Sequence, residues 1–381
     1  MLAGADVGLT AEQRAVAETV REFATAELRP GAAARDADCR FPEEAWDGLA
    51  DLDLTALTVP EQYGGYDADR TTYAVVNEAV AYGSLAVATA LLVHCLVTSC
   101  IAEFGADRHR ERWLPEMADG RPVGAFALSE PAAGSNPAEM STVARREGDE
   151  YVLDGEKQWI TNGERGGVCV VFAKVDPDDP DSVTQFLVPK DLDGVEVGPK
   201  ERKLGLRASD TTSLRFEGVR IPAENRLTEE GRGLSAALAI LTGGRIGIAA
   251  QATGLAQAAL DEAVAYAGDR EQFGGPIADI GAIRGKIADM ATQVHAARTM
   301  VREAARQDDA GADPRVAASM AKYFASEAAV DVCGEAVQVH GGYGYTREFD
   351  VERFYRDAKV TTIYEGTSEI QREIIARAML D

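Results

Sequence analysis

The sequence predicts an α+β multidomain chain: an N-terminal all-α domain over 1–120, a central β-barrel or sandwich domain over 121–230, and a C-terminal four-helix-bundle domain over 231–381. Three observations carry this. Apolar residues recur at helical spacing as far as about residue 119. Near Arg121 the texture changes to short runs rich in Val, Phe, Thr and Tyr, broken by Gly, Asp and Pro. After Gly233 the helical period returns and persists to the end.

The first helix is predicted behind Thr10, a good N-cap before AEQRAVAETVREFATAEL, with Pro30 beyond its end. A second starts at RFPEEAWDGLADL, a long buried one covers Asp69 to Phe104, and a short amphipathic one covers RHRERWLPEMADG. The strand candidates are VGAFALS, EYVLDGEKQWITN, GVCVVFAKV, VTQFLVP and SLRFEGVRIP, evenly spaced with turn signals between them. Leu234 to Ala267, Ile277 to Gln307 and Pro314 to His340 supply three long helices, and SEIQREIIARAML a last one, enough for an antiparallel bundle.

With 63 acidic against 39 basic side chains, the chain carries a net charge of -24 and should repel phosphate backbones and anionic lipid surfaces. No nucleic-acid partner is expected. The five cysteines, at 39, 95, 100, 169 and 333, are scattered without a CxxC pair, and the four histidines show no ligand spacing, so no metal and no disulfide framework are expected. A reduced, cytoplasmic setting fits, and MLAGADVGLTAEQ lacks the basic start of a signal peptide. Ala79 to Ala102 is uncharged over a length that could span a bilayer, but its many small and hydroxylated residues and bare flanks read as a helix inside a protein, so no membrane is expected.

No GxGxxG, P-loop, HExxH or GxSxG signature is present. Five segments remain whose composition is odd for pure structure. AFALSEPAAGSN (125–136) ends a strand in a small-residue loop whose amides, with Ser129 and Ser135, can cradle a phosphate or a flavin edge. KQWITNG (157–163) offers the Trp159 indole and the Thr161 hydroxyl on one strand, suited to stacking on an aromatic cofactor. DREQFGGPI (269–277) places Arg270 and Gln272 past a helix end, where a pyrophosphate could bind. QVHGGYGYTRE (338–348) brings Gln338 beside glycines that permit close backbone approach. In TTIYEGTSEIQRE (361–373), Glu365 stands before a glycine and a helix start fixed by a capping box of Ser368 and Gln371; its apolar company should raise its pKa and suit it to act as a general base. Each segment taken alone also reads as ordinary structure: a plain turn, a core indole, a solvated arginine, a helix–helix turn.

Together, in this order and spacing, the five segments resemble the acyl-CoA dehydrogenase flavoprotein family from about residue 8 to the C-terminus, and FALSEP, GGRIGIA and IYEGTSEIQRE look most like its short-chain and branched short-chain members. The resemblance implies that family's fold, FAD as cofactor, and dehydrogenation of a saturated acyl-CoA to the trans-2-enoyl-CoA, with Glu365 as the base for the α-proton. It implies flavin contacts from Phe126, Leu128, Ser129, Gly134 and Ser135, and from Trp159, Ile160 and Thr161. Arg270, Gln272 and Phe273 would reach the FAD diphosphate of a neighbouring subunit, Gln338, Gly341 and Gly342 its adenosine side, and Thr367 and Glu369 the remaining contacts. Substrate contacts fall on Ser135, Thr242, Arg245, Tyr364 and Gly366. A homotetramer, a dimer of dimers, is implied, as is an electron-transferring flavoprotein as acceptor.

Some members place the base on the first long bundle helix instead, immediately before its arginine. The matching residue here is Gly244, before Arg245, so no rival carboxylate exists. Two positions depart from the family pattern: Thr242 stands where many members have an Asp, and the usual Gly-Ser-Asp loop reads Gly134-Ser135-Asn136. Two variants stay open on the same fold: a dehydrogenase of carrier-protein-bound acyl groups, which needs no adenine contact, and an oxidase or monooxygenase.

Overall fold

The computed structural model describes residues 8–380. Helix α1 (Ala11–Phe23) starts on Thr10, whose hydroxyl accepts from Gln13 N at 3.1 Å while Gln13 Oε1 accepts from Thr10 N at 3.0 Å, a complete capping box. A π-helical turn (Ala24–Leu28) extends it, and α2 (Ala32–Ala37) and α3 (Glu43–Asp51) follow. The long buried helix expected over 69–104 is two helices, α4 (Arg70–Gly83) and α5 (Leu85–Phe104). Ser84 separates them in an extended conformation and caps α5 by accepting from Val87 N. An uncharged run hides such a break, because the signal is one serine hydroxyl turned onto the backbone. Nearly all of α5 is buried inside the protein. Helix α6 (Asp107–Ala118) closes this first region.

Seven strands make the central sheet: β1 (Gly124–Ala127), β2 (Val143–Glu147), β3 (Glu150–Thr161), β4 (Val168–Lys174), β5 (Val183–Pro189), β6 (Val195–Val197) and β7 (Thr211–Pro222). They lie in the order β1-β4-β2-β3-β7-β6, with β5 also on β4. Strands β1 and β4 run parallel, whereas β3 and β7 form a long antiparallel pair. One face carries an apolar core that includes Tyr151, Leu153, Ile160, Phe186, Leu214 and Phe216. Strands β2 and β6 had no sequence signal: β2 reads VARRE, with three exposed polar residues in five, and β6 has three residues.

The third region begins with α7 (Gly233–Asp269), 37 residues long and buried along most of its length. A two-stranded hairpin, β8 (Glu271–Gln272) with β9 (Gly275–Pro276), leads to α8 (Gly281–Asp309), α9 (Arg315–His340), α10 (Val351–Ala358) and α11 (Ser368–Leu380). Helix α7 packs against α4, α5, α8 and α9, so the first and third regions share one core. A buried junction locks three of these helices together: Gln251 Nε2 on α7 donates to Asn77 Oδ1 on α4 and to Ala88 O on α5, both at 2.8 Å. Each donor–acceptor pair there replaces bonds that water would otherwise make, so the register of the three helices is fixed where a mismatch would be costly.

Candidate active site

Glu365 lies between α10 and α11, on a short turn where two successive residues have left-handed backbone: φ is +54° at Glu365 and +91° at Gly366. Such a conformation is unfavourable for a residue with a Cβ and persists only where its surroundings enforce it. Glycine suits the next position, where φ of +91° would strain any residue with a Cβ.

The surroundings come from α9. Lys322 Nζ donates to Gly366 O at 2.7 Å, Ser326 Oγ to Thr361 O at 2.8 Å, and Glu327 Oε1 accepts from Ser368 Oγ at 2.5 Å. Gln371 Nε2 adds a second donor to Gly366 O at 2.9 Å. The expected capping box of Ser368 and Gln371 is therefore not formed. Thr367 Oγ1 accepts from Ile370 N at 3.3 Å and is the cap, one residue earlier, because both expected partners are engaged elsewhere.

The carboxylate points to the flank of α7. An added Cβ at Gly244 would sit 3.0 Å from Glu365 Oε2 and 3.3 Å from Leu96 Cδ2, so this glycine leaves room for the carboxylate. The residue as a whole is partly exposed, yet Oε2 is buried and has no hydrogen-bond partner among the described residues. Burial pushes the carboxyl pKa up to about 7, against the pull of Arg245 on α7 and Lys322 on α9. Arg245 is itself buried, with Nε unpartnered among the described residues, and burial holds its guanidinium below the ordinary value. The backbone N–H of Glu365 makes no hydrogen bond among the described residues, whereas those of Ile363 and Tyr364 both donate to Val360 O. Tyr364 reaches Thr89 on α5 at 3.4 Å.

A cleft of about 310 Å³ opens between α4, α5 and the start of α7, with Arg70, Tyr73, Leu96, Ile240, Gly243 and Gly244 among its walls. Gly244 and Leu96, which line it, are also the residues beside the Glu365 carboxylate. Farther along, Leu92 and Tyr73 fill the space between α5 and α7, coming within 2.7 and 2.8 Å of where a Cβ on Gly247 would be.

The segments expected to hold a flavin fall into two groups. In the first, the β3–β7 ladder gains an extra residue between Lys157 and Ile160, a bulge that lifts Trp159 out with φ +64° and leaves its indole 60% exposed. Gln158 N donates to Ser129 O at 2.9 Å and Lys157 Nζ to Leu128 O at 3.2 Å, so the end of β1 is tied to the bulge. Ser129, Trp159 and Thr161 are thereby brought together, with Phe126 and Leu128 half-buried beside them. Gly134 and Ser135 lie exposed on the loop beyond. The Ile160 side chain belongs to the sheet core, which leaves its backbone to face a ligand.

Beneath the bulge, Lys157 Nζ meets Glu130 Oε1 at 2.7 Å, both side chains buried. Burial acts against the Glu130 charge, but Lys157 and donors from Ser141 and Thr142 hold its carboxyl well below the usual carboxylate range. Sequence reading missed this support. Its signal is split between a buried lysine on β3 and a glutamate in the turn after β1, 27 residues earlier, and neither local segment announces the other.

The second group stands at the other end of the bundle. Arg270, Gln272, Gln338, Gly341 and Gly342 are exposed there, Phe273 is 97% exposed, and the Arg270 guanidinium lies 5.8 Å from the Tyr343 ring beside a hollow of about 410 Å³. Gln338 and Lys322 both lie on α9, 16 residues and thus about 24 Å apart along its axis. Arg270 and its neighbours therefore do not converge with Glu365 within one chain. Thr367 and Glu369 sit by the base, and Thr242 and Arg245 line one flank of α7, with Tyr364 and Gly366 on either side of Glu365. Lys322 was also missed, although a lysine amid AASMAKYFASEAA, on the face shared with Ala318 and Ser326, is a readable oddity in a chain with few lysines.

A helical region, a bulged sheet with a displaced indole, and a helical bundle presenting a buried carboxylate oxygen make up the arrangement that the following comparisons assign to the flavoprotein oxidoreductases. Three family models cover nearly all of the chain: acyl-CoA dehydrogenase N-terminal domain over 10–121, middle domain over 125–219 and C-terminal domain over 231–380. The chain is 44% identical over 374 residues to an acyl-CoA dehydrogenase of Bacillus subtilis, covering 98% of this chain and 99% of that one. Among solved structures, the butyryl-CoA dehydrogenase of Megasphaera elsdenii superposes with a TM-score of 0.96 at 38% identity, over 99% of this chain and 100% of that one. A glutaryl-CoA dehydrogenase of Mycobacterium smegmatis, in complex with FADH2, gives 0.93 at 31% identity, over 98% and 95%. The chain belongs to the acyl-CoA dehydrogenase family, whose members depend on FAD. The exposed Trp159 on its strained bulge, tied through Gln158 N to the Ser129 carbonyl at the end of β1, offers a flat apolar face suited to that cofactor's ring.

Proposed function

We propose that this enzyme removes two hydrogens from the Cα–Cβ bond of short saturated acyl-CoA thioesters, with Glu365 taking the α-proton. The observation that carries the reading is the Glu365 carboxylate: Oε2 is buried and unpartnered, aimed at the room left by Gly244, with a pKa near 7 and two cations within reach. A base poised near the working pH accepts a proton most effectively. Ser129, Trp159 and Thr161 would hold FAD, which when bound would supply the acceptor for the hydride from Cβ. The N–H of Glu365, without a hydrogen bond among the described residues, would donate to the thioester oxygen as negative charge builds there, which would make the α-proton acidic enough for a carboxylate. Substrate entry would displace water and draw the base's pKa further up, toward that of the activated C–H.

The short-chain reading is supported by the filling of the α5–α7 space by Leu92 and Tyr73. The separation of the Arg270 group from Glu365 along α9 supports a neighbouring chain completing each flavin site, and so a homodimer at least, paired into a tetramer. An electron-transferring flavoprotein is the proposed acceptor, and the cytoplasm the proposed setting. Anaerobic addition of butyryl-CoA to the yellow enzyme should bleach the flavin promptly, with turnover falling along a panel of longer acyl-CoA substrates; absence of bleaching with every acyl-CoA would overturn the proposal.

A pH dependence follows. Only ionised Glu365 accepts a proton, so kcat/KM should rise with pH and level off above a midpoint near 7 in the free enzyme. A rate already flat at pH 5 would show that another group is the base.

A further inference from the structure

Two lysines are fully buried, Lys157 and Lys322. Lys157 has its carboxylate partner at 2.7 Å. Lys322 makes no ion pair among the described residues; its ammonium is spent on a backbone carbonyl, that of Gly366, which already accepts from Gln371. A buried cation without a paired anion is costly, and a neutral side chain would fill the same space more cheaply. The placement of this one, against the residue that follows the base, points to a role in the base's own chemistry.

We propose that Lys322 is a positioning residue for proton abstraction: by holding the Gly366 carbonyl it fixes the left-handed turn that aims Glu365, and with Arg245 it supplies the positive surroundings in which Glu365 ionises. Geometry supports the first part. Glu365 and Gly366 stand in consecutive left-handed conformations, and the only described donors to the Gly366 carbonyl are Lys322 and Gln371. The charges around the site support the second. Glu365 faces Arg245 from α7 and Lys322 from α9, with the phenols of Tyr73 on α4 and of neighbouring Tyr364 close by. Lys322 in turn faces Glu365, Glu327 on its own helix, Arg245 on α7 and Glu369 on α11, and burial brings its pKa down to about 8. Both cations favour the ionised carboxylate, so removing one should move the Glu365 titration upward.

The inference rests on Glu365 being the base, and the test separates the two claims. In flavin-free protein the Glu365 carboxyl band, assigned by its loss in Glu365→Gln, is titrated by infrared difference spectroscopy; in the flavin-loaded enzyme the acid limb of kcat/KM is followed. Lys322→Gln keeps an N–H donor but drops the charge, Lys322→Met drops both, and Lys322→Arg keeps both. Expected is an upward shift of about one pH unit for Gln and Met in both measurements, a further loss of kcat of roughly tenfold to a hundredfold in Met alone, and return to the wild-type midpoint in Arg. An unshifted midpoint in Lys322→Gln overturns the proposal, and this variant decides the matter even if Lys322→Met does not fold. Turnover surviving in Glu365→Gln would remove the base assignment itself, whereas an inactive Glu365→Gln beside an unshifted Lys322→Gln would remove only the role of Lys322.

Discussion

Replacing Glu365 with glutamine is expected to lower kcat by about 10²–10⁴-fold while the flavin stays bound. The amide has the same shape and is compatible with the same turn, but it has no lone pair basic enough to take an α-proton. No hydrogen bond among the described residues links this side chain to Ser129 or Trp159, so the absorption spectrum should be unchanged. The same substitution should stabilise the fold in one pH range only. The Glu365 carboxyl titrates near its ordinary value in the unfolded chain and near 7 when folded. The folded state therefore binds the proton more tightly, and wild-type stability falls as pH rises between those two values. Glutamine carries no such penalty. The thermal midpoint of Glu365→Gln should thus exceed that of wild type at pH 8 and match it near pH 4; loss of stability at both pH values would mean that the carboxylate is a structural anchor.

The second large effect is expected at Lys157. Changing it to methionine leaves Glu130 buried with its donors from Ser141 and Thr142 but without its cation. Breaking a buried pair from one side costs about 3–5 kcal/mol, far more than the exposed ion pairs on this surface, which are worth little each. Lys157 also holds Leu128 O, next to Ser129. Denaturant unfolding of the flavin-free protein should show the loss, and flavin content after purification should drop as well, because the bulge that presents Trp159 loses its footing. A stability change below about 1 kcal/mol would mean that the pair is not a supporting element. Changing Glu130 to leucine at the same time should recover only part, since two backbone N–H groups would then lack their acceptor.

Much of the fold was legible because its signals are local. The Thr10 cap, the Val-, Phe- and Tyr-rich runs of β3, β4 and β5 between turn signals, and the long helical stretches of α7, α8 and α9 are each written into consecutive residues. What stayed hidden depends on distant partners. Nothing in the sequence around Ser368 says that its hydroxyl would go to Glu327, 41 residues away, and leave the cap to Thr367. The glutamate of the opening of α11 was visible from its glycine and its helix start. Its unpaired oxygen, its two cations and the empty flank of Gly244 arise from three helices meeting, which no single segment announces. Strands β2 and β6 were missed for the opposite reason: they are too short or too polar for any period to emerge.

The three anchors from α9 to residues 361–368 tie the fate of the Glu365 turn to the helical bundle. Structures open in cooperative blocks, and a loop hung from a block opens with it. Thermal inactivation of this enzyme should therefore be an event of the helical bundle: turnover would end when α9 loosens, while the central sheet still holds its shape.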